Sequence, residues 1–148
     1  MSFKKDVERI QEIRACYQTG LKALSGDSDK VKCQETRNLD GSVNLDDCVK
    51  SKYPNAARWD YIVSYNDQNY FIEVHPASTG EVKEIIKKLT WLKRWLKKKG
   101  SKLYQKRSDN KPFRWVSSGK ISISKTSKYA RQLNQNGIGL PKKMTQLD

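Results

Sequence analysis

The chain has no long apolar run, no Cys-x-x-Cys step, no internal repeat and, past residue 80, very little acid. A helix that spans a membrane needs ~18 to 20 consecutive apolar residues, so none is expected here. The opening Met-Ser-Phe-Lys-Lys-Asp has no apolar signal core, which predicts a soluble, cytoplasmic protein with no membrane partner. Cys16, Cys33 and Cys48 are odd in number and without metal-ligand spacing, which predicts reduced thiols in place of a disulfide frame or zinc site.

The shortage of acid is confined to the second half. Residues 1–80 carry 11 Lys/Arg against 12 Asp/Glu, a net of −1, whereas residues 81–148 carry 19 against 4, a net of +15. Charge of one sign held in a compact state repels itself, and a polyanion relieves it, so nucleic acid, DNA or RNA, is the expected partner. A solvated basic surface is the plain alternative.

With 148 residues the chain suits a single domain, 1–148. Mean hydropathy is low at −0.87, yet four Trp, seven Tyr and periodic apolar stripes predict a folded core. Phe3, Val7, Ile10, Ile13, Tyr17, Leu21 and Leu24 predict an amphipathic helix over about 4 to 24, ended near Gly26. Residues 25–57 read as a polar insertion in which Val31 to Arg37 suits a strand and Asn44 caps a short helix over Leu45 to Lys52. Trp59 to Tyr65 and Asn69 to His75 are β-branched and aromatic runs that predict a hairpin, with Pro76 ending the second strand. Ser78-Thr79-Gly80-Glu81 has the pattern of a capping box, followed by the stripe Val82, Ile85, Ile86, Leu89, Leu92 and Leu96 of a helix that stops at Gly100. Leu103-Tyr104, Phe113 to Val116 and Ile121 to Ile123 suit short strands, Ser127 to Asn136 a last helix closed by Gly137, and 139–148 a mobile tail. The fold class expected is α/β, a mixed sheet with a central hairpin flanked by helices.

A two-residue turn at Asn66-Asp67 pairs Tyr65 with Gln68 and so sets Asp60 opposite Glu73 on one face, with Ile62 and Phe71. His75 points to the same face, while Trp59, Tyr61 and Val63 point to the other. Two facing carboxylates repel unless a cation or proton intervenes, and Mg²⁺ or Mn²⁺ suits such hard oxygen donors. Plain polar-face residues are the alternative.

An N-terminal helix bearing Glu, strands with Asp60 and Glu73-Val74-His75 at hairpin spacing, then a helix and further strands resemble the PD-(D/E)xK nuclease superfamily, over roughly Phe3 to Ile123. The resemblance implies a restriction-endonuclease-like fold and a metal-dependent nuclease, with Asp60 and Glu73 holding the metal that activates water for phosphodiester hydrolysis. His75 occupies the usual Lys position, and no Pro precedes Asp60. The family sometimes places its Lys on the following helix, where Lys83 or Lys87 serves, and often an acid on its first helix, where Glu8 or Glu12 matches. A neutral imidazole at His75 can instead accept a proton from water.

The helix from Glu81 carries Lys83, Lys87, Lys88, Lys93, Arg94, Lys97, Lys98 and Lys99 around its stripe, with Trp91 and Trp95 flanking it. Lys87, Lys88, Lys93, Arg94, Lys97 and Lys98 read as a phosphate-tracking face and the two tryptophans as bases' stacking partners. Lys102, Lys106, Arg107, Lys111, Arg114 and Lys120 extend the charge. Two further readings stand beside the nuclease: a non-catalytic nucleic-acid-binding module on the same fold, and an interaction protein with an acidic partner.

Overall fold

A computed structural model describes residues 2–148. Its elements in chain order are α1 (Phe3–Glu8), β1 (Val31–Cys33), β2 (Leu39–Asn44), α2 (Leu45–Val49), β3 (Tyr61–Tyr65), β4 (Gln68–Ser78), α3 (Val82–Lys98), α4 (Ser101–Gln105), β5 (Phe113–Ser122), α5 (Lys128–Gln135) and β6 (Thr145–Leu147). The described residues form a four-stranded mixed sheet in the order β2-β3-β4-β5, antiparallel except for the parallel β4–β5 pair, which α3 connects. A small parallel β1–β6 pair lies apart from it.

The hairpin is where chain chemistry dictates geometry most directly. Asn66 and Asp67 both take positive φ (54° and 58°), the requirement of a tight two-residue turn whose twist matches its strands. That turn places Tyr65 against Gln68 and Tyr61 against Ile72. Ile62 and Phe71 then join Leu89, Leu92, Leu96 and Phe3 in the core under α3, while Tyr61, Val63, Tyr70 and Ile72 pack on the opposite side with Leu24, Val31 and Leu147. The sheet is therefore covered on both faces. Trp59, which precedes the strand, joins the α3 side despite its odd position, because alternation holds only within the extended run.

Several expectations are corrected. The N-terminal helix stops at Glu8, and the chain continues in turns whose bonds run Ile10 N to Val7 O, Ile13 N to Ile10 O and Cys16 N to Ile13 O. The apolar step from Val7 to Ile13 is strictly three, the period of tight i→i−3 turns, and it buries the same side chains without an α-helix. Strand β4 runs through Pro76, which sits at a register shift between His75 and Ala77, where a missing N–H costs no ladder bond. The capping box does not form: a 3₁₀ turn over Thr79–Glu81 leads into α3 with no side-chain cap. Leu103 and Tyr104 are helical, Phe113 to Ser122 is one strand, and the tail is pinned by β6 and by Tyr70 Oη donating to the Asp148 carbonyl at 2.8 Å.

The helix starts hold, whereas the reading of the cysteines does not. Asn44 caps α2 by accepting from Asp47 N (3.0 Å), as expected, and the last helix forms as α5, with Ser127 outside it as a cap that accepts from Ala130 N (3.2 Å). Cys16 and Cys48 are joined in a disulfide across 32 residues, contrary to the reduced thiols expected, because the turns after α1 bring Cys16 against α2; Cys33 is free. No helix among the described residues is long and apolar enough to cross a membrane.

Candidate functional site

The register that pairs Tyr61 with Ile72 brings Asp60 beside Glu73 at the mouth of the hairpin. Each carboxylate is tied to the backbone of the facing segment: Asp60 N donates to Glu73 Oε1 and Val74 N donates to Asp60 Oδ2, both at 3.0 Å. Glu73 is fully buried, whereas Asp60 is partly open to solvent. Burial first, and then the charge of Glu73, push the Asp60 carboxyl up to about 7, against the opposing pull of Val74 N–H and Lys88.

A lysine does stand at this pair, on helix α3, and it is Lys88 instead of Lys83 or Lys87. Lys88 Nζ lies 2.9 Å from Glu73 Oε2 and donates to the Arg58 carbonyl at 3.2 Å. The reason is helical phase. At 100° per residue Lys88 falls on the arc of buried Ile85 and Leu92, while Lys83 and Lys87 are turned away and exposed. Burial, the largest single influence, would lower the Lys88 ammonium, but the charge and hydrogen bond of Glu73 together with the charges of Asp60 and Asp46 outweigh it and the net direction is upward.

His75 lies between two acids, Nδ1 3.5 Å from Glu73 Oε2 and Nε2 2.9 Å from Glu81 Oε2. The hydrogen bond to Glu73 raises the imidazole above its ordinary value, partial burial opposes this, and Glu81 adds to the rise. Both ring nitrogens thus face a carboxylate oxygen, an arrangement that an imidazole donating from both nitrogens satisfies. Glu81 had no place in the sequence-derived site, although its position two turns before Lys88 on the same arc was available as a signal.

The acid expected on the first helix is not part of this group. Glu12 lies past α1 and accepts from Tyr53 Oη (2.8 and 2.9 Å) and Trp95 Nε1 (2.9 Å), with Lys52 at 3.2 Å and Lys99 at 3.6 Å. Burial pushes its carboxyl up, yet the bonds from Trp95, Tyr53 and Lys52 outweigh this and lower it. Glu8 is exposed at the end of α1.

The basic face is also narrower than its sequence. Lys87, Arg94, Lys97 and Lys98 are exposed, but Lys88 belongs to the acidic pair and Lys93 turns to α5, donating to the Asn136 carbonyl at 3.2 Å. Trp95 is 3% exposed, which removes it as a stacking platform, while Trp91 stays half-buried. Farther on, Lys106 pairs with Asp6 (2.9 Å), and Arg114 donates to the Gln146 carbonyl (2.6 Å) and Thr145 Oγ1 (3.0 Å). These cations hold the fold as well as adding charge.

As a donor set, Asp60 and Glu73 offer the hard oxygens that Mg²⁺ or Mn²⁺ takes. No group of three or more His, Cys, Asp or Glu arranged to hold a metal occurs among the described residues. Comparison with known protein families, with curated proteins and with solved structures finds no match to this chain.

Proposed function

We propose that the chain is a nuclease-like protein acting on DNA or RNA, with a restriction-endonuclease-like fold and Asp60 and Glu73 as the pair that holds Mg²⁺ or Mn²⁺. The observation that carries this reading is the convergence of Asp60, Glu73 and Lys88 at the sheet end beneath a basic helix. The succession of α1, the antiparallel strands β2, β3 and β4, then α3 and the parallel β5, with β1, α2 and α4 interposed, supports it. The bound ion would polarise a phosphate and lower the pKa of its water. Glu73 keeps one oxygen on Asp60 N–H and the other against Lys88, which fixes both side chains. Lys88 is placed to steady an anionic oxygen arriving at the pair, and His75, held by Glu81, keeps Glu73 oriented. Exposed Lys87, Arg94, Lys97 and Lys98 supply phosphate contacts.

A second reading, a binding module that does not cut, is favoured by the same cluster's self-sufficiency: Lys88 and His75 already balance Glu73. A location in the cytoplasm belongs to the proposal, and the Cys16–Cys48 disulfide weighs against it, since thiols there are ordinarily kept reduced. The test is incubation of linear DNA, circular DNA and RNA with Mg²⁺ or Mn²⁺. Cleavage that chelator stops, and that Asp60→Ala and Glu73→Ala each abolish while binding persists, is expected. Binding without cleavage or divalent-ion uptake selects the second reading, and no binding at low salt ends both.

A further inference from the structure

On the exposed side of helix α3, that helix, residues 55–57 and Gln132 of α5 border an open cleft of about 560 Å³, lined by Asn55, Ala57, Lys83, Lys87, Trp91 and Arg94 among others. Trp91 and Arg94 also line a smaller adjoining hollow with Tyr53 and Lys98. Every charged side chain in either lining is a cation. The cleft therefore favours an anion along its whole length, and its size suits a nucleotide-scale guest, within the ~300–1,000 Å³ usual for small-ligand sites.

Trp91 adds an aromatic surface to that charge. Trp59, Trp95 and Trp115 are 0%, 3% and 2% exposed, which leaves Trp91 as the tryptophan that a ligand can reach. Its ring is fixed by stacking on Trp95 (centroids 6.3 Å apart, 20° between planes) and by the edge of Tyr53 (5.7 Å, 73°). A rigid aromatic ring among cations suits a base whose face is free. In a duplex that face is covered by the neighbouring base pairs, so a recessed ring selects an unpaired strand. An acidic peptide would use the cations and leave Trp91 idle.

The cleft is connected to the acidic pair along the chain. Its wall at Asn55 to Ala57 continues through Arg58, whose carbonyl accepts from Lys88 Nζ, to Asp60, and on α3 Lys87 is the immediate neighbour of Lys88. We propose that this cleft binds a single, unpaired strand of nucleic acid, with a base stacked on Trp91 and phosphates on Lys83, Lys87 and Arg94, and presents that strand to Asp60 and Glu73. The presentation to the pair rests on the nuclease-like reading; the strand preference does not.

The test compares a short single-stranded DNA, the same sequence as RNA, and the blunt DNA duplex, bound without divalent ion by fluorescence anisotropy, with tryptophan emission followed in parallel. Single strands of both kinds should bind roughly tenfold more tightly than duplex and quench the emission, and Trp91→Ala should weaken them about 5- to 100-fold while sparing the duplex. Trp91→Phe should keep most of the affinity, and Arg94→Gln should weaken all three ligands. If Trp91→Ala does not fold, the quench on the native protein and the Phe variant decide. Equal affinity for duplex and single strand, no quench, or displacement of the strand by a poly-glutamate peptide at equal charge concentration overturns the proposal. Single-strand binding of this kind with no cleavage sustains it and removes the nuclease reading; cleavage of duplex unaffected by Trp91→Ala does the reverse.

Discussion

Lys88 Nζ and Glu73 Oε2 lie 2.9 Å apart between helix α3 and strand β4, with Glu73 fully buried and the lysine side chain 16% exposed. Removing one member of such a pair leaves the other's charge without a partner in low dielectric, which costs far more than the intact pair contributes. Lys88→Met should therefore destabilise the protein by about 3 kcal/mol, softened by His75 on the same oxygen. Added Mg²⁺ or Mn²⁺ should restore more stability to this variant than to the native protein, because a cation then has Glu73 with less competition. Urea denaturation with and without the ion measures both, and an ion that stabilises neither protein removes the metal from the pair.

Asp60 gives the pair a pH dependence of definite sign. The folded state keeps its proton up to about 7, because of burial and the Glu73 charge, while the unfolded chain releases it near the ordinary carboxyl value of 3.8. Between those values the folded state holds more protons, so this group makes stability fall as pH rises, and flat above about 7. Asp60→Asn retains an oxygen for Val74 N–H and removes the titration. In chelator it should be more stable than the native protein at pH 8 by on the order of 3–4 kcal/mol, with the gap closing toward pH 4. A pH-independent gap would mean that Asp60 ionises normally.

The parts of this site that were legible in the sequence are those governed by local rules. Asn66-Asp67 permits one tight turn, and period-two alternation then carries Asp60 to Glu73 with no tertiary information. The stripe of α3 and the Asn44 cap of α2 are equally local. What failed depended on distant partners. Lys88 was separable from Lys87 by helical phase only once the sheet's position relative to α3 was known. Trp95 reads as a stacking ring until Glu12 takes its N–H, and Cys16 as a free thiol until α2 arrives beside it. Strand β2, with Gly41 and Asp40 within it, has almost no strand propensity and exists because β3 offers it an edge.

Glu12 should prove structural. It is 6% exposed at its side chain and gathers donors from Tyr53, Trp95 and Lys52, so it ties the N-terminal turns to α3. Glu12→Gln loses the charge that these donors favour and should cost about 2–3 kcal/mol in stability. The Tyr53 phenol, pushed up to about 12 by burial and by Glu12, should titrate at lower pH in the variant. Ion-dependent cleavage per folded molecule should be unchanged. A variant of native stability that has lost cleavage would return Glu12 to the role that the family resemblance implies.

The disulfide is the last feature whose effect can be separated from the site. It closes a loop spanning 32 residues between the turns after α1 and helix α2, and in the chain-entropy account a loop of that size restricts the unfolded ensemble by about 3–4 kcal/mol. The double variant Cys16→Ser, Cys48→Ser should therefore unfold at lower urea with a steeper dependence on denaturant, since its unfolded chain is more open. Thiol titration gives the direct check: denatured but unreduced protein should show one thiol, that of Cys33, and reduced protein three. In the folded protein Cys33 should react slowly, because burial, and then Glu35, push its thiol up. None of the catalytic candidates touches this crosslink, so nucleic-acid binding should survive its loss below the new unfolding midpoint. Three thiols before reduction, in protein purified without reductant, would show instead that the chain keeps Cys16 and Cys48 free and would restore the expectation drawn from their number and spacing.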